Sequence, residues 1–289
     1  MKRIILIMFI SLAFISGFGC SNSIEKKPVL LDDEMKAPIK SAPAEVGLEE
    51  YAPTTAPQGT LGWYVMRRPN HETPTIDRNI GFNLSDYKAY YIGSQNQTIF
   101  LTFDEGYEKG YTASILDTLK AHQVPAAFFV TEPYIRENPD LIKRMVAEGH
   151  LVVNHSKTHP SMPSITGNQE KFNRELLDTA QTFKDLTGQD MPLFFRPPKG
   201  EYNQTSLQMT ADLGYKTIFW SFAYEDWLVD RQPDPEKSLD LILKNIHPGE
   251  IMLLHAVSKT NSDILGRVIT GAQAEGYRFA TLHELAPVK

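Results

Sequence analysis

The chain has 289 residues, 42% of them hydrophobic, and a formal net charge of -6. This length and composition allow one large domain or two small ones with a proper core, and they do not indicate overall disorder. The mild acidity argues against nucleic-acid binding, because phosphate contacts need a basic surface and no long Lys/Arg cluster follows the N-terminus.

The N-terminus predicts an export signal over residues 1–20. Lys2 and Arg3 precede an apolar segment over residues 4–18, which is short for a membrane span. Cys20 is the only cysteine, so the chain has no intramolecular disulfide, and its position resembles that of the acylated cysteine of bacterial lipoproteins. We therefore expect an exported protein of the cell envelope, anchored on the outer side of the cytoplasmic membrane. The alternatives are an uncleaved signal anchor and an ordinary signal peptide with an incidental cysteine.

Two segments separate this signal from the main pattern. Residues 21–60 are rich in proline and acidic residues with little hydrophobic periodicity, which predicts a linker. Aromatic residues return in GWYVMRRPNHETPTI and DYKAYYIG. They predict an N-terminal extension over residues 61–97 that packs on the main domain.

Strand-like and helix-like patterns alternate over residues 98–289. The candidate strands are TIFLTF (98–103), PAAFFV (125–130), HLVVN (150–154), LFFRP (193–197), KTIFWSF (216–222), EIMLLH (250–255) and RFATL (278–282). Apolar strands that alternate with amphipathic helices are typical of parallel strands covered on both faces. The pattern predicts an α/β fold, a distorted or incomplete (β/α) barrel of about seven parallel strands.

Polar residues follow the predicted strands at their carboxyl ends, where barrel enzymes have their active sites. Asp104 and Glu105 follow the first strand and precede Gly106. If the strand ends at Phe103 and the chain turns at Gly106, both carboxylates enter one space. Two like charges that close require a cation or a proton.

His155 and His159 follow the third strand with i, i+4 spacing. One helical turn would place both imidazoles on the same side. Two imidazoles and a carboxylate form a ligand set for a catalytic divalent metal, most often zinc. The spacing alone is a weak signal, because it is also found among ordinary surface or core histidines. The carboxylate pair at another strand end makes the metal-site interpretation stronger.

Three further strand ends carry residues with two interpretations each. Arg196 in RPPKG either pairs with a buried carboxylate or lies on the surface of a rim turn. Asp226 and Trp227 form either an acidic partner with an aromatic wall for a sugar, or a helix cap with a core tryptophan. His255 ends the sixth strand, where a lone histidine is more often structural.

Together, TFDEG, HSKTH, RPPKG, EDW and LLH resemble, in order and spacing, the five motifs of the polysaccharide deacetylase family (carbohydrate esterase family 4) over about residues 98–285. TFDEGYEKGYT, RPPKG, FWSFAYEDW and LLHAVSK, with the upstream GWY and YYIG, are most similar to the delta-lactam-biosynthetic branch. That branch removes the acetyl group from N-acetylmuramic acid in peptidoglycan. The resemblance implies a metal-dependent hydrolase that acts on peptidoglycan glycan strands.

The resemblance also implies the catalytic roles. Asp104 aligns with the catalytic base and Arg196 with the residue that orients it. His255 aligns with the general acid and Asp226 with the carboxylate that supports it. The backbone N–H of Lys199 aligns with the oxyanion donor.

The metal and substrate positions follow from the same resemblance. His155 and His159 align with metal ligands, and Glu105 replaces the family's metal-binding aspartate. Trp227 aligns with a wall of the substrate groove and Leu253 with the pocket for the acetyl methyl group. The replacement at Glu105 puts the metal contact in question more than the reaction.

Two alternatives remain open from the sequence. A deacetylase of N-acetylglucosamine, in peptidoglycan or another polysaccharide, would use the same chemistry. A non-catalytic lipoprotein that binds glycan is supported only by Glu105. Lys199, basic where related deacetylases commonly have tyrosine, is the candidate for recognising the lactyl carboxylate of muramic acid.

Overall fold

The computed structural model describes residues 59–68, 70–76, 80–94 and 96–285. The predicted signal over residues 1–20, with Cys20, and nearly all of the predicted linker lie outside the described residues. No helix in the described part of the chain is long and apolar enough to cross a membrane.

The described residues form an alternating α/β fold. Its strands are β1 Leu61–Gly62, β2 Ala89–Tyr90, β3 Thr98–Glu105, β4 Ala127–Val130, β5 Leu151–Asn154, β6 Phe194–Phe195, β7 Glu201–Tyr202, β8 Lys216–Ile218, β9 Glu250–His255 and β10 Arg278–Phe279. Its α-helices are α1 Thr112–His122, α2 Glu132–Glu137, α3 Pro139–Ala147, α4 Gln169–Thr187, α5 Gln204–Asp212, α6 Pro235–Asn245 and α7 Lys259–Ala274.

The main sheet is parallel throughout, and it contains all seven strands that the sequence predicts. β9 and β4 flank β3, and the sheet continues from β4 through β5, β6 and β8 to β2, while β10 pairs with the start of β3. Phe222 bridges to Met252 of β9, so the segment after β8 partly closes the curled sheet. The prediction of a distorted (β/α) barrel is confirmed.

The N-terminal segment packs on this barrel through both backbone and aromatic contacts. β1 pairs antiparallel with β7, and β2 adds to the main sheet beside β8. Trp63 is buried and stacks on Phe219 with ring centroids 4.4 Å apart, and its Nε1 donates to the carbonyl of Trp220 at 2.9 Å. These contacts lie directly behind the loop that follows β6.

Side chains of β3 alternate between the two faces of the sheet, as a regular strand requires. Phe100 belongs to the cluster inside the barrel, whereas Leu101 and Phe103 pack among the residues of the surrounding helices. The sequence predicts that this strand ends at Phe103, and that prediction is wrong. The strand continues, because Asp104 pairs with Phe129 and Glu105 with Val130 of β4. Continued pairing separates the two carboxylates.

Candidate active site

Asp104 lies at the carboxyl end of β3 on the inner face and is 9% exposed. Its Oδ1 accepts a hydrogen bond from Arg196 Nη1 at 2.7 Å, and its Oδ2 lies 3.7 Å from His155 Nε2. Burial raises the pKa of this carboxyl, but Arg196, His155 and His255 outweigh burial and hold the pKa below its ordinary value. Asp104 is therefore ionised at neutral pH and can accept a proton.

Arg196 is fully buried, and its guanidinium has a fixed orientation. Nε donates to the carbonyl of Ile218 at 3.0 Å, Nη2 donates to that of Phe219 at 3.4 Å, and the guanidinium carbon lies 4.0 Å from the ring centroid of Phe129. The structure thus selects the pairing with a buried carboxylate over a surface arginine. A rigid partner of this kind holds Asp104 in one orientation.

His155 and His159 face the same space, with ring centroids 5.0 Å apart. His155 Nδ1 donates to the carbonyl of Arg196 at 2.8 Å, which leaves Nε2 with a lone pair. Burial lowers the pKa of His155, and burial together with the nearby His155 lowers the pKa of His159 to about 3. Both rings are therefore neutral at pH 7, the form that binds metal ions.

The loop that carries these histidines is not a helical turn, contrary to the sequence prediction. Ser156 and His159 have φ of 72° and 56°, in the left-handed region. Glu175 of α4 accepts hydrogen bonds from Lys157 N at 3.0 Å and from Thr158 N and Oγ1 at 2.8 Å each. Because this carboxylate takes the backbone N–H groups, the loop is stabilised in an irregular conformation that still brings both rings together.

Sequence reasoning missed Glu175, although the sequence contains a signal for it. Glu175 is 5% exposed on the same helix face as the buried Phe172, Leu176 and Thr179. A carboxylate within the apolar stripe of an amphipathic helix needs a buried hydrogen-bonding partner. The partner itself, a loop far away in sequence, is visible only in the structure.

Glu105 lies on the opposite face of β3 and is fully buried. Its Oε1 accepts a hydrogen bond from Thr112 Oγ1 at 3.5 Å, and its Oε2 has no hydrogen-bond partner among the described residues. Burial, followed by the charges of Glu108 and Asp104, raises the pKa of Glu105 well above its ordinary value. The expectation that both carboxylates enter one space is wrong, since strand pairing sends Glu105 toward the helices.

A divalent metal ion therefore fits only part of the predicted ligand set. The neutral His155 and His159 have the donor chemistry for it, whereas Glu105 is a buried, protonated acid on the other face. Among the residues that the structure describes, no group of three His, Cys, Asp or Glu side chains is placed to hold a metal ion.

Asp226 and His255 form a hydrogen-bonded pair next to Asp104. Asp226 is fully buried, and its Oδ1 accepts from His255 Nδ1 at 2.7 Å while its Oδ2 accepts from His255 N at 2.9 Å. Burial lowers the pKa of His255, but Asp226 and then Asp104 raise it above the ordinary value. Since β9 pairs with β3 at His255 and Asp104, a proton donor lies beside a proton acceptor.

Two of the three residues predicted to contact substrate lie near His255, and the third, Lys199, lies near His159. The ring of Trp227 is half-buried, with its centroid 5.5 Å from that of His255, so it is not a core tryptophan. Leu253 is buried on the inner face of β9, two residues before His255. Lys199 has a left-handed φ of 59°, and its charge contributes to the lowered pKa of His159.

The arrangement is suited to general acid–base hydrolysis. Asp104 can take a proton from water, and His255 can donate one to a leaving group. Trp227 provides an aromatic surface of the type that sugar rings contact.

Comparison with known proteins agrees with this geometry. The family model described as polysaccharide deacetylase matches residues 93–218. The chain is 43% identical to an uncharacterized 30.6 kDa protein of Geobacillus stearothermophilus, over 79% of this chain and 86% of that protein. It is 39% identical to the peptidoglycan-N-acetylmuramic acid deacetylase PdaA of Bacillus subtilis, over 79% of this chain and 87% of PdaA.

A solved structure gives the same relationship in three dimensions. The structure of Bacillus subtilis PdaA, a family 4 carbohydrate esterase, superposes with a TM-score of 0.76 at 38% identity. It covers 80% of this chain and 98% of the PdaA chain.

Proposed function

Because the chain belongs to the polysaccharide deacetylase family, we propose that it hydrolyses the N-acetyl group of N-acetylmuramic acid in peptidoglycan. The observation that carries the proposal is the pairing of an ionised Asp104, held by Arg196, with a His255 held by Asp226. The likeness to PdaA over most of both chains supports the choice of substrate.

The reaction divides between these two pairs. Asp104 takes a proton from the attacking water, whose oxygen bonds to the acetyl carbon. His255 donates its proton to the sugar nitrogen as the C–N bond breaks, so the products are acetate and a free amine. Arg196 keeps Asp104 ionised and oriented, and Asp226 keeps His255 protonated and oriented.

His155 and His159 are the residues that would hold a divalent ion, without a contribution from Glu105, and zinc is the ion that their chemistry favours. Such an ion, when bound, supplies polarisation of the acetamide carbonyl and a lower pKa of the attacking water. The hydrogen bond from His155 Nδ1 to the carbonyl of Arg196 directs Nε2 into the site.

Lys199 is the residue we assign to recognition of muramic acid. The lactyl carboxylate distinguishes this sugar from N-acetylglucosamine, and an aromatic wall such as Trp227 cannot detect that charge. Lys199 lies close enough to His159 to lower its pKa, which puts a cation at the edge of the site. A stem peptide on the lactyl group would remove the negative charge, so the preferred substrate is glycan without stem peptides.

The proposed substrate also agrees with the predicted location. Peptidoglycan lies outside the cytoplasmic membrane, where the export signal over residues 1–20 would send the chain. A lipid on Cys20, or an uncleaved signal, would hold the enzyme at the membrane beside its glycan substrate.

Side-by-side assays of acetate release from peptide-free glycan, intact peptidoglycan and chitooligosaccharide test the proposal. We expect the highest rate with peptide-free glycan, and we expect Lys199→Tyr to reduce that preference. A preference for chitooligosaccharide would instead indicate an N-acetylglucosamine deacetylase. Glycan binding without acetate release from any substrate would indicate a non-catalytic binding protein.

A further inference from the structure

Asn261 is a buried residue in the first turn of α7 that contacts both members of the acid pair. It is 1% exposed. Its Nδ2 donates to Asp226 Oδ2 at 2.6 Å and to the carbonyl of His255 at 3.1 Å. One amide group therefore donates hydrogen bonds to both the carboxylate of Asp226 and the backbone of His255.

Tyr224 fixes the orientation of this amide. The buried Tyr224 hydroxyl donates to Asn261 Oδ1. Because burial and then the charge of Asp226 raise the pKa of Tyr224, its hydroxyl keeps its proton and acts as the donor. The oxygen of the amide must then face Tyr224, and its nitrogen must face Asp226.

The consequence for Asp226 follows from its hydrogen bonds. Oδ1 accepts from His255 Nδ1, and Oδ2 accepts from His255 N and from Asn261. Without Asn261, Oδ2 would keep only its bond from a backbone N–H, and a buried carboxylate with fewer donors is less stable as an anion.

We infer that Asn261, oriented by Tyr224, is a positioning residue that holds Asp226 in the geometry required to orient His255. The four residues form one chain of hydrogen bonds that leads from the interior to the acid. Asn261 itself does not touch the substrate. The inference rests on the proposed deacetylase function, since His255 is placed there as the proton donor.

The central test compares Asn261→Leu with Asn245→Leu. Leucine has nearly the shape of asparagine but no amide. Asn245 is a matched control on α6, because its Nδ2 donates to the carbonyl of Leu241 in its own helix at 2.7 Å, far from the carboxyl end of β9. We expect Asn261→Leu to lower kcat for acetate release about 10–100-fold with little change in KM. Asn245→Leu should keep wild-type kinetics.

Two measurements separate positioning from a structural role. In a His255→Gln background, Asn261→Leu should lower the residual rate less than about 3-fold, because the group on which it acts is gone. In nuclear magnetic resonance spectra, the signal of the His255 Nδ1 proton bonded to Asp226 should broaden or disappear in Asn261→Leu and persist in Asn245→Leu.

A milder variant covers the case in which Asn261→Leu does not fold. Tyr224→Phe removes only the hydroxyl that orients the amide, and we expect it to lower kcat about 5-fold. The inference is overturned if each of these variants that folds keeps wild-type kcat and an unchanged His255 signal. It is also overturned if Asn261→Leu lowers the rate by the same factor with and without His255. If the wild type releases no acetate, the proposed function fails instead.

Discussion

At the scale of single residues, opposing effects decide which groups carry charge. Burial disfavours the ionised form of both Asp104 and Glu105, which are neighbours on one strand. Arg196 reverses that effect for Asp104, whereas no cation contacts Glu105 among the described residues. Asp104 is therefore an ionised carboxylate, whereas Glu105 is a neutral acid.

Removal of the base should abolish most of the activity. Asp104→Asn has nearly the same shape but cannot take a proton, so we expect acetate release to fall by about 10²–10⁴-fold. Circular dichroism should show a retained fold. The free energy of unfolding should fall, because the buried Arg196 loses its ionic partner. Near-wild-type turnover would remove Asp104 from the mechanism.

The dependence of kcat/KM on pH follows from the two shifted groups. Asp104 must be ionised, and its pKa is lowered, so activity should fall only below the ordinary range of a carboxyl. His255 must be protonated, and its pKa is raised, so activity should persist above the ordinary range of a histidine. Asp226→Asn removes the main cause of that rise, and the alkaline limb should move to lower pH. An unmoved limb would assign it to another group.

Glu105→Gln tests whether this residue binds metal. Since Glu105 is already neutral and faces away from the histidines, we expect metal content and acetate release to stay within about 2-fold of wild type. Loss of bound metal in this variant would show instead that Glu105 is a ligand.

The same variant should change how stability depends on pH. The folded chain keeps Glu105 protonated above the pH at which the unfolded chain ionises it, so the folded state binds more protons and wild-type stability falls as pH rises. Glutamine cannot ionise. In thermal unfolding, the stability of Glu105→Gln relative to wild type should therefore be higher at pH 8 than at pH 5. The same relative stability at both pH values would contradict the raised pKa of Glu105.

At the scale of elements, α4 determines the geometry of the histidine loop. Glu175 accepts three hydrogen bonds from Lys157 and Thr158, in a loop that contains two residues with left-handed φ. Lys157 Nζ also contacts Asp178 of the same helix at 2.7 Å. The two imidazoles therefore depend on a helix that contributes no atom to the site.

Glu175→Gln should weaken metal binding, because an amide nitrogen cannot accept the hydrogen bonds that a carboxylate oxygen accepts. We expect metal affinity to fall about 10–100-fold, measured by competition with a chelator. Glu170→Gln is the matched control on α4, since Glu170 is exposed and pairs with Arg174 one turn away, at 3.0 Å. Equal affinities in both variants would show that the loop holds its own conformation.

The elements also show what the sequence could predict. Apolar runs such as those of β4 and β9 identify buried parallel strands, and their order places the functional residues at one end of the barrel. The end of β3 is not predictable from the sequence, because two adjacent acidic residues after an apolar run are typical of a loop. Only the pairing with β4 shows that they belong to the strand. The i, i+4 spacing of the two histidines predicts a helical turn for a related reason, since the Glu175 that stabilises the irregular loop comes from a distant helix.

At the scale of the whole molecule, the topology brings distant sequence segments into one site. Asp104 and His255 are adjacent only because β9, near the end of the chain, pairs with β3. Arg196 reaches Asp104 because the loop after β6 opens at the same end of the sheet. The N-terminal extension supports that loop from behind, since Trp63 N donates to the carbonyl of Gly200 at 2.8 Å.

Mass spectrometry of peptide-free glycan strands after incubation with the enzyme tests the central claim most directly. We expect muramic acid residues to lose one acetyl group each, glucosamine residues to keep theirs, and Asp104→Asn to leave both sugars acetylated over the same time. Deacetylated glucosamine with intact N-acetylmuramic acid would contradict the assigned substrate, and deacetylation by Asp104→Asn at the wild-type rate would contradict the assigned base.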